Sequence, residues 1–240
     1  MDTRVGTSGW SYEHWRERYY PEGLPSTERL SFYAREFDTV ELNSSFYRLP
    51  RETTFVRWRE VTPGRFIFAV KGSRYVTHVK KLVGVSDAVD NLCRRAVNLG
   101  EKLGPVLWQL PPQAKKNEER LEGFLGCLPD GISHVVEFRN RNWFDDGIYA
   151  LLRRYDVSFC SVSSPSFVTD LLVTGEVGYL RMHGEGGGWY ATSYGEDRLR
   201  VWAKRVSESF SSCRESYVYF NNDANAYAIQ NARDLRSLLR

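Results

Sequence analysis

The sequence predicts a single α/β domain, a TIM-type (β/α)8 barrel that occupies residues 1–240. Three observations favour this fold: apolar strand-like runs alternate with amphipathic stretches, eight such repeats fill the 240 residues, and most of the apolar runs end in a polar residue. A length of about 30 residues per repeat suits one βα unit, and parallel strands need crossover connections. An open, doubly wound parallel sheet is the alternative fold.

Eight runs have the short apolar composition of buried strands. They are residues 4–8, 39–42, 66–70, 105–109, 134–138, 158–162, 178–182 and 216–220. Apolar residues at helical spacing predict helices between most of them, at 29–37, 53–61, 87–103, 118–128, 145–155, 199–210 and 226–239. Ser86 is the expected N-cap of the third of these helices. The sixth repeat shows little helical pattern after its strand.

Composition excludes several classes of protein. With 42% hydrophobic residues the chain can bury a large core, and no apolar run approaches the ~20 residues that span a bilayer. The first residues lack a signal-peptide pattern, so we expect a cytoplasmic protein without membrane contact. The four cysteines form no CxxC pair. The net charge of +3 is spread along the chain without a local basic cluster.

The polar residues at the strand ends are the candidate functional site. Side chains two residues apart in a strand point the same way, so Glu41 with Asn43, Glu137 with Arg139, and Arg181 with His183 form pairs of common direction. The alternate residues, such as Val40 and Leu42, should face the helices. Active sites of TIM barrels lie where the strands end, at the C-terminal mouth. The fold thus predicts one polar ring at this mouth.

Four residues of this ring are candidates for catalysis. Glu41 and Glu137 are suited to acid–base or nucleophilic roles. With His183 they are also a candidate divalent-metal site, although pairing with arginine is the structural alternative. Lys71 ends an apolar strand, where burial depresses an amine pKa and favours proton transfer, anion binding or imine formation. His183 is suited to acid–base chemistry near neutral pH.

Substrate binding is expected from polar and aromatic side chains around these four. These residues are Trp10, Tyr12, Asn43, Gln109, Arg139, Arg181, Asn221 and Asn222. The aromatic pair can stack on a ring or close the barrel as a small core. The glycines of 184–188, together with 221–225, suit either a phosphate-binding loop or a mobile lid.

The chain resembles the domain-of-unknown-function 72 family, also called YecE-like proteins. The similar blocks are GTSGWSY at 6–12, VELNSSFY at 40–47, FAVK at 68–71, GPVLWQLPP at 104–112, EFR at 137–139, NWF at 142–144, RMHG at 181–184 and YFNN at 219–222. The resemblance implies a TIM-type barrel and a distant relation to sugar isomerases, without fixing a reaction.

Three functions remain open on the sequence. The first is an enzyme, of isomerase or hydrolase type, that acts on a small polar substrate that is sugar-like or phosphorylated. The second is a metal-dependent nucleic-acid enzyme or a nucleic-acid binder, which the scattered charge disfavours. The third is a non-catalytic ligand-binding or assembly protein. The expected partner is a small polar or anionic ligand, and a divalent metal ion is the one cofactor considered.

Overall fold

Eight parallel strands close into one barrel. The computed structural model describes residues 3–187 and 190–240. The strands are Thr3–Ser8 (β1), Thr39–Leu42 (β2), Ile67–Lys71 (β3), Leu103–Gln109 (β4), His134–Glu137 (β5), Ser158–Ser163 (β6), Val177–Met182 (β7) and Glu215–Phe220 (β8). Each strand pairs with the next, and β8 pairs with β1, so the sheet has no free edge. The structure confirms the predicted (β/α)8 barrel.

Helices cover the outside of the barrel. They are Arg29–Tyr33 (α1), Ser44–Tyr47 (α2), Glu52–Glu60 (α3), Ser86–Ala96 (α4), Glu118–Leu125 (α5), Asp146–Arg154 (α6), Glu196–Ser209 (α7) and Tyr227–Leu238 (α8). Residues 164–176, all of which are described, contain no helix, as the weak pattern of the sixth repeat indicated. Within the described part of the chain, no helix has the length and apolar character needed to cross a bilayer.

The predicted bounds of the third helix were wrong at both ends. Val85 is the N-cap because its carbonyl already accepts the Val89 N–H at 2.9 Å, so Ser86 is the first helical residue and not the cap. The α-helix stops at Ala96 and continues as a 3₁₀ turn. Gly100 within that turn has a φ of 61°, which an α-helix does not accommodate.

The strand register separates an inner and an outer layer of side chains. Val40, Leu42, Val136 and Phe138 pack outward against the helices, as the alternation predicted. A second cluster fills the lumen, and it includes Ala69, Leu107, Val135, Tyr179, Tyr217 and Tyr219. Tyr219 also reaches Thr39, with the two hydroxyl oxygens 2.6 Å apart. These aromatic rings form the floor beneath the polar groups at the mouth.

Gly6 provides a test of lumen packing. A Cβ built there would lie 2.4 Å from the backbone oxygen of Thr39, whereas one on Gly123 of α5 meets nothing within 4 Å. We predict that Gly6→Ala lowers the free energy of unfolding by about 1–3 kcal/mol through overpacking. Gly123→Ala should raise it by up to about 1 kcal/mol through helix propensity. Urea denaturation measures both, and equal effects would contradict this packing.

Candidate functional site

Arg181 is the centre of the polar network at the mouth. Its Nε donates to both carboxylate oxygens of Glu41, at 3.2 and 3.0 Å, and its Nη2 donates to Oε1 of the same residue at 2.8 Å. Its Nη1 donates to Glu137 Oε2 at 2.7 Å. All three side chains have no exposed surface. One guanidinium therefore joins the carboxylates of β2 and β5 across the lumen.

The network continues from Glu137 toward β8. Arg139 Nε donates to Glu137 Oε1, and Arg139 Nη2 lies 3.0 Å from His183 Nε2. His183 Nδ1 in turn lies 3.2 Å from the side-chain amide of Asn221. The strands β2, β5, β7 and the chain after β8 thus contribute to one continuous chain of hydrogen bonds.

The contacts of His183 define its tautomer. A guanidinium has no acceptor, so His183 Nε2 must carry the lone pair that accepts from Arg139. Nδ1 then carries the proton, and the Asn221 amide must present its oxygen to it. Burial, followed by the charges of Arg139, Arg181 and Lys71, holds the pKa of His183 well below its usual value. The imidazole is therefore neutral, and its basic nitrogen is already occupied.

Both carboxylates are held in the ionised form. Burial alone would raise the pKa of Glu41, but the charge and hydrogen bonds of Arg181 outweigh burial and lower this pKa. Burial likewise opposes ionisation of Glu137, and Arg139 and Arg181 lower the pKa of its carboxyl. A buried carboxylate that is paired with arginine is a poor proton donor at neutral pH.

Lys71 differs from the other charged residues of the site. Its ammonium lies over the Phe46 ring, 4.4 Å from the centroid. No described residue, Glu41 included, forms an ion pair with it. Burial and the charge of Arg181 lower its pKa to about 7, against the opposing effect of Glu41 and Glu137. The amine is therefore partly neutral at physiological pH.

The network does not fit a divalent metal ion. Within residues 3–187 and 190–240, no group of three or more His, Cys, Asp or Glu side chains is placed to hold one. Glu41 and Glu137 direct their oxygens at arginines, and the basic nitrogen of His183 accepts from Arg139. A cation here would have to displace a buried guanidinium, which would leave that charge unpaired.

Two residues predicted to bind substrate lie beside the network. Asn43 Nδ2 donates to Ser8 Oγ at 2.9 Å, while its Oδ1 is buried without a hydrogen-bond partner among the described residues. Tyr12 donates its hydroxyl to the Ser8 carbonyl at 2.5 Å. Burial, followed by the nearby charge of Asp223, raises the pKa of Tyr12 above its usual range. Both residues border the mouth near β1.

Three other predicted binding residues make contacts away from the network. Trp10 packs edge-on against Trp58 of α3, with the ring centroids 5.5 Å apart. Gln109 donates to its neighbour's carbonyl, that of Leu110, at 2.9 Å. Asn222 is fully buried and donates to Thr192 and Asn231, so it fastens the last loop to α8. Asn222 lies two residues after the outward-facing Phe220, which places it on the helix side.

The glycine-rich segment is only partly described, because Gly188 lies outside the described residues. Gly186 and Gly187 are exposed and adopt φ values of 62° and 57°. Gly184 is buried at a φ of 97°, and a Cβ there would lie 2.7 Å from Thr192 Oγ1. Phosphate binding or lid closure by this segment stays a prediction.

Sequence reasoning missed three residues that shape the site. Ser8 Oγ donates to Glu41, and the Tyr179 hydroxyl donates to Glu41 Oε2 at 2.7 Å. Phe46 provides the ring beneath Lys71. Strand phase could have found two of them, because Tyr179 lies two residues before Arg181 and Ser8 ends β1 in phase with the lumen-facing Gly6. Phe46 lies on α2, where strand phase gives no information.

A family comparison agrees with this architecture. A sequence model described as "Protein of unknown function DUF72" matches residues 4–240. The chain belongs to the DUF72 family. A relative named UPF0759 protein YunF, from Bacillus subtilis, is 27% identical over 98% of this chain and 94% of its own length. UPF0759 protein YecE of Escherichia coli is 32% identical over 60% of this chain and half of its own length.

Solved structures of DUF72 proteins share the fold of this chain. A DUF72 family protein from Thermotoga maritima superposes with a TM-score of 0.90 at 31% identity, and the match covers 100% of this chain and 99% of that one. One from Enterococcus faecalis gives a TM-score of 0.86 at 18% identity, over 99% and 95% of the two chains. A methyltransferase from Methanosarcina mazei, at 0.58 and 10% identity over 98% and 93%, shares the fold alone.

Removal of Arg181 should strongly destabilise the protein. Arg181→Met leaves two buried carboxylates without their shared cation, and we predict a loss of about 3–5 kcal/mol in the free energy of unfolding. The control is Arg200→Met, which breaks an exposed ion pair with Glu196 on α7 and should cost less than about 0.5 kcal/mol. Denaturant unfolding at pH 7 measures both.

A similar small loss for both variants would show that Arg181 does not carry the charge balance of the mouth. If Arg181→Met fails to fold, Tyr179→Phe removes one hydrogen bond to Glu41 and should cost about 1–3 kcal/mol. A stability equal to that of the wild type would then contradict the network.

Proposed function

We propose that this protein is an enzyme in which Lys71 transfers a proton on a small polar substrate, sugar-like or phosphorylated, bound at the C-terminal mouth of the barrel. One observation carries the proposal: Lys71 is an amine at the mouth, packed on Phe46, without an ion pair to a described residue. A base works best when its pKa lies near the working pH, and the pKa of Lys71 is about 7.

The remaining charged residues then hold the site in place. Arg181 and Arg139 neutralise Glu41 and Glu137, so these carboxylates fix the position and charge of the mouth around Lys71. Proton transfer by the carboxylates is the weaker hypothesis, because both have lowered pKa values and occupied oxygens. The buried, unpartnered Asn43 Oδ1 supports a polar ligand, since a substrate hydroxyl would satisfy it.

Two reaction types use a base of this kind. In an isomerase, Lys71 takes a proton from a carbon next to a carbonyl group and returns it to a neighbouring atom. In a hydrolase, it takes a proton from the attacking water. Exchange with solvent separates the two, because only the first places solvent hydrogen on carbon.

The reactivity of the Lys71 amine tests whether its pKa lies near 7, on which the proposal depends. Acylation requires a neutral amine, so we predict half-maximal labelling of Lys71 by acetic anhydride near pH 7. A lysine in a peptide added to the same reaction titrates near ~10.4 and is the reference. Peptide mass spectrometry measures both sites over pH 5–11. A Lys71 profile that coincides with the peptide would remove the basis of the proposal.

Turnover is tested with a panel of free and phosphorylated aldoses and ketoses in deuterium oxide. An isomerase should place deuterium on carbon in at least one of these sugars, and Lys71→Met should slow this exchange by about 100-fold or more. Lys204→Met, at an exposed position on α7, is the matched control and should keep the wild-type rate. Exchange at the wild-type rate in Lys71→Met would exclude Lys71 as the base. A panel that neither exchanges nor is hydrolysed would exclude this substrate class.

Substitution of a carboxylate shows whether it only maintains the charge around Lys71 or itself transfers a proton. Glu41 and Glu137 raise the pKa of Lys71, so Glu137→Gln should move this pKa below 7. The acid limb of the pH–rate profile should therefore shift to lower pH, while turnover persists. Loss of turnover across the whole pH range in a folded Glu137→Gln variant would instead identify the carboxylate as the acid or base.

A further inference from the structure

Segments of four neighbouring loops at the mouth carry cations and no acidic residue, and Glu52, Glu118 and Asp145 directly follow three of these segments. They follow β2, β3, β4 and β5, and we call the residues 43–51, 71–85, 110–117 and 138–144 the basic arc. Its cations are Arg48, Arg51, Lys71, Arg74, Lys80, Lys81, Lys115, Lys116, Arg139 and Arg141. The four segments are separated by about 20 or more residues in the sequence, and closure of the barrel gathers them along one half of the mouth.

Most of these cations have no ionic partner among residues 3–187 and 190–240. Lys116 pairs with Glu118 and Asp145, and Arg139 pairs with Glu137. Seven others form no ion pair with any described residue and are exposed, namely Arg48, Arg51, Arg74, Lys80, Lys81, Lys115 and Arg141. Unpaired cations on one surface attract a polyanion.

The opposite half of the mouth has the opposite character. The loop after β1 contains Glu13, Glu17, Glu22 and Glu28 against Arg16 and Arg18, the loop after β7 contains Glu185, and the loop after β8 contains Asp223, so this half carries a net negative charge. The field across the mouth is therefore directional. The net charge of +3 for the whole chain does not reveal this separation of positive and negative charge across the mouth.

Aromatic side chains lie among the cations of the basic arc. Tyr47 is 81% exposed, and its ring contacts Phe46, which in turn contacts His78 with the centroids 5.0 Å apart. Tyr75 is 49% exposed. A cavity of about 400 Å³ beside Arg48 and Arg51 is lined largely by apolar groups of Leu49, Pro50 and Trp58. The exposed tyrosine rings and the apolar cavity could stack on flat aromatic groups of a ligand.

We propose that the basic arc is a docking surface for single-stranded nucleic acid. Unpaired cations spread over four loops match successive phosphates, and exposed tyrosines with an apolar cavity match bases, which stack on aromatic side chains. A single phosphate group would need only two or three converging cations. A nucleotide is also a phosphorylated sugar, so this partner agrees with the substrate class proposed above, but docking does not depend on it.

The binding test uses fluorescence anisotropy with labelled 20-nucleotide DNA and RNA strands of mixed sequence. The variant Arg48→Gln/Arg51→Gln/Lys80→Gln/Lys81→Gln should bind at least about tenfold more weakly than wild type at 50 mM salt. Its salt dependence should also be shallower, since each lost phosphate contact removes about 0.7 from the slope. Lys71 stays intact, so the outcome is separate from the activity test.

The matched control carries the same charge change elsewhere. Arg35→Gln/Arg57→Gln/Arg65→Gln/Arg153→Gln replaces four exposed arginines that lie outside the basic arc, and it should bind like wild type. Equal loss of affinity in both quadruple variants, or no binding of either strand by wild type, would overturn the proposal.

Two further measurements separate nucleic acid from other polyanions. Tyr47→Ser should weaken binding of the oligonucleotides severalfold and leave binding of inorganic polyphosphate unchanged. Polyphosphate of equal charge should bind more weakly than the strands. If polyphosphate binds as tightly and Tyr47→Ser has no effect, the surface does not recognise nucleic acid.

Discussion

Two carboxylates in a barrel lumen require a cation between them, and Arg181 meets this requirement. Glu41 and Glu137 come from strands on different sides of the barrel, and neither has water-exposed surface. Without Arg181 the cost of burying two negative charges would be several kcal/mol per group. With it, four donor contacts on one planar guanidinium fix the distance between β2, β5 and β7. The shape of the mouth depends on this interaction.

The same interaction determines the properties of Lys71. Because the carboxylates are already neutralised by arginine, they stabilise the Lys71 ammonium less than free carboxylates would. Burial and the charge of Arg181 therefore prevail, and the pKa of the amine falls toward neutrality. Burial and the same positive surroundings lower the pKa of His183 and keep its imidazole neutral. The mouth thus contains carboxylates and guanidinium groups that stay ionised, together with the Lys71 amine, which gains and loses its proton near neutral pH.

Strand phase made much of this site predictable. Alternation along β2, β5 and β7 correctly separated Glu41, Glu137 and Arg181 from Val40, Val136 and Leu180, because successive side chains point to opposite faces. The same rule applied to β8 would have assigned Asn221 to the mouth and Asn222 to the helix side. Pairing of the carboxylates with arginine was the structural alternative, but the sequence could not show that Arg181 alone joins both of them, since this depends on distances across the lumen. The basic arc was also hidden, because its cations are far apart in the sequence and meet only in the closed barrel.

The ionisation of Glu41 and Glu137 is the most direct test of the account. Carbon-13 NMR of protein labelled at the glutamate carboxyl carbons can follow both groups during a pH titration, with Glu41→Gln and Glu137→Gln to assign them. The account predicts that neither carboxyl signal titrates between pH 5 and 8, since Arg181 lowers the pKa of Glu41, and Arg139 together with Arg181 lowers that of Glu137. A carboxyl group that takes up a proton within that range would contradict it and would return the acid–base role to that glutamate.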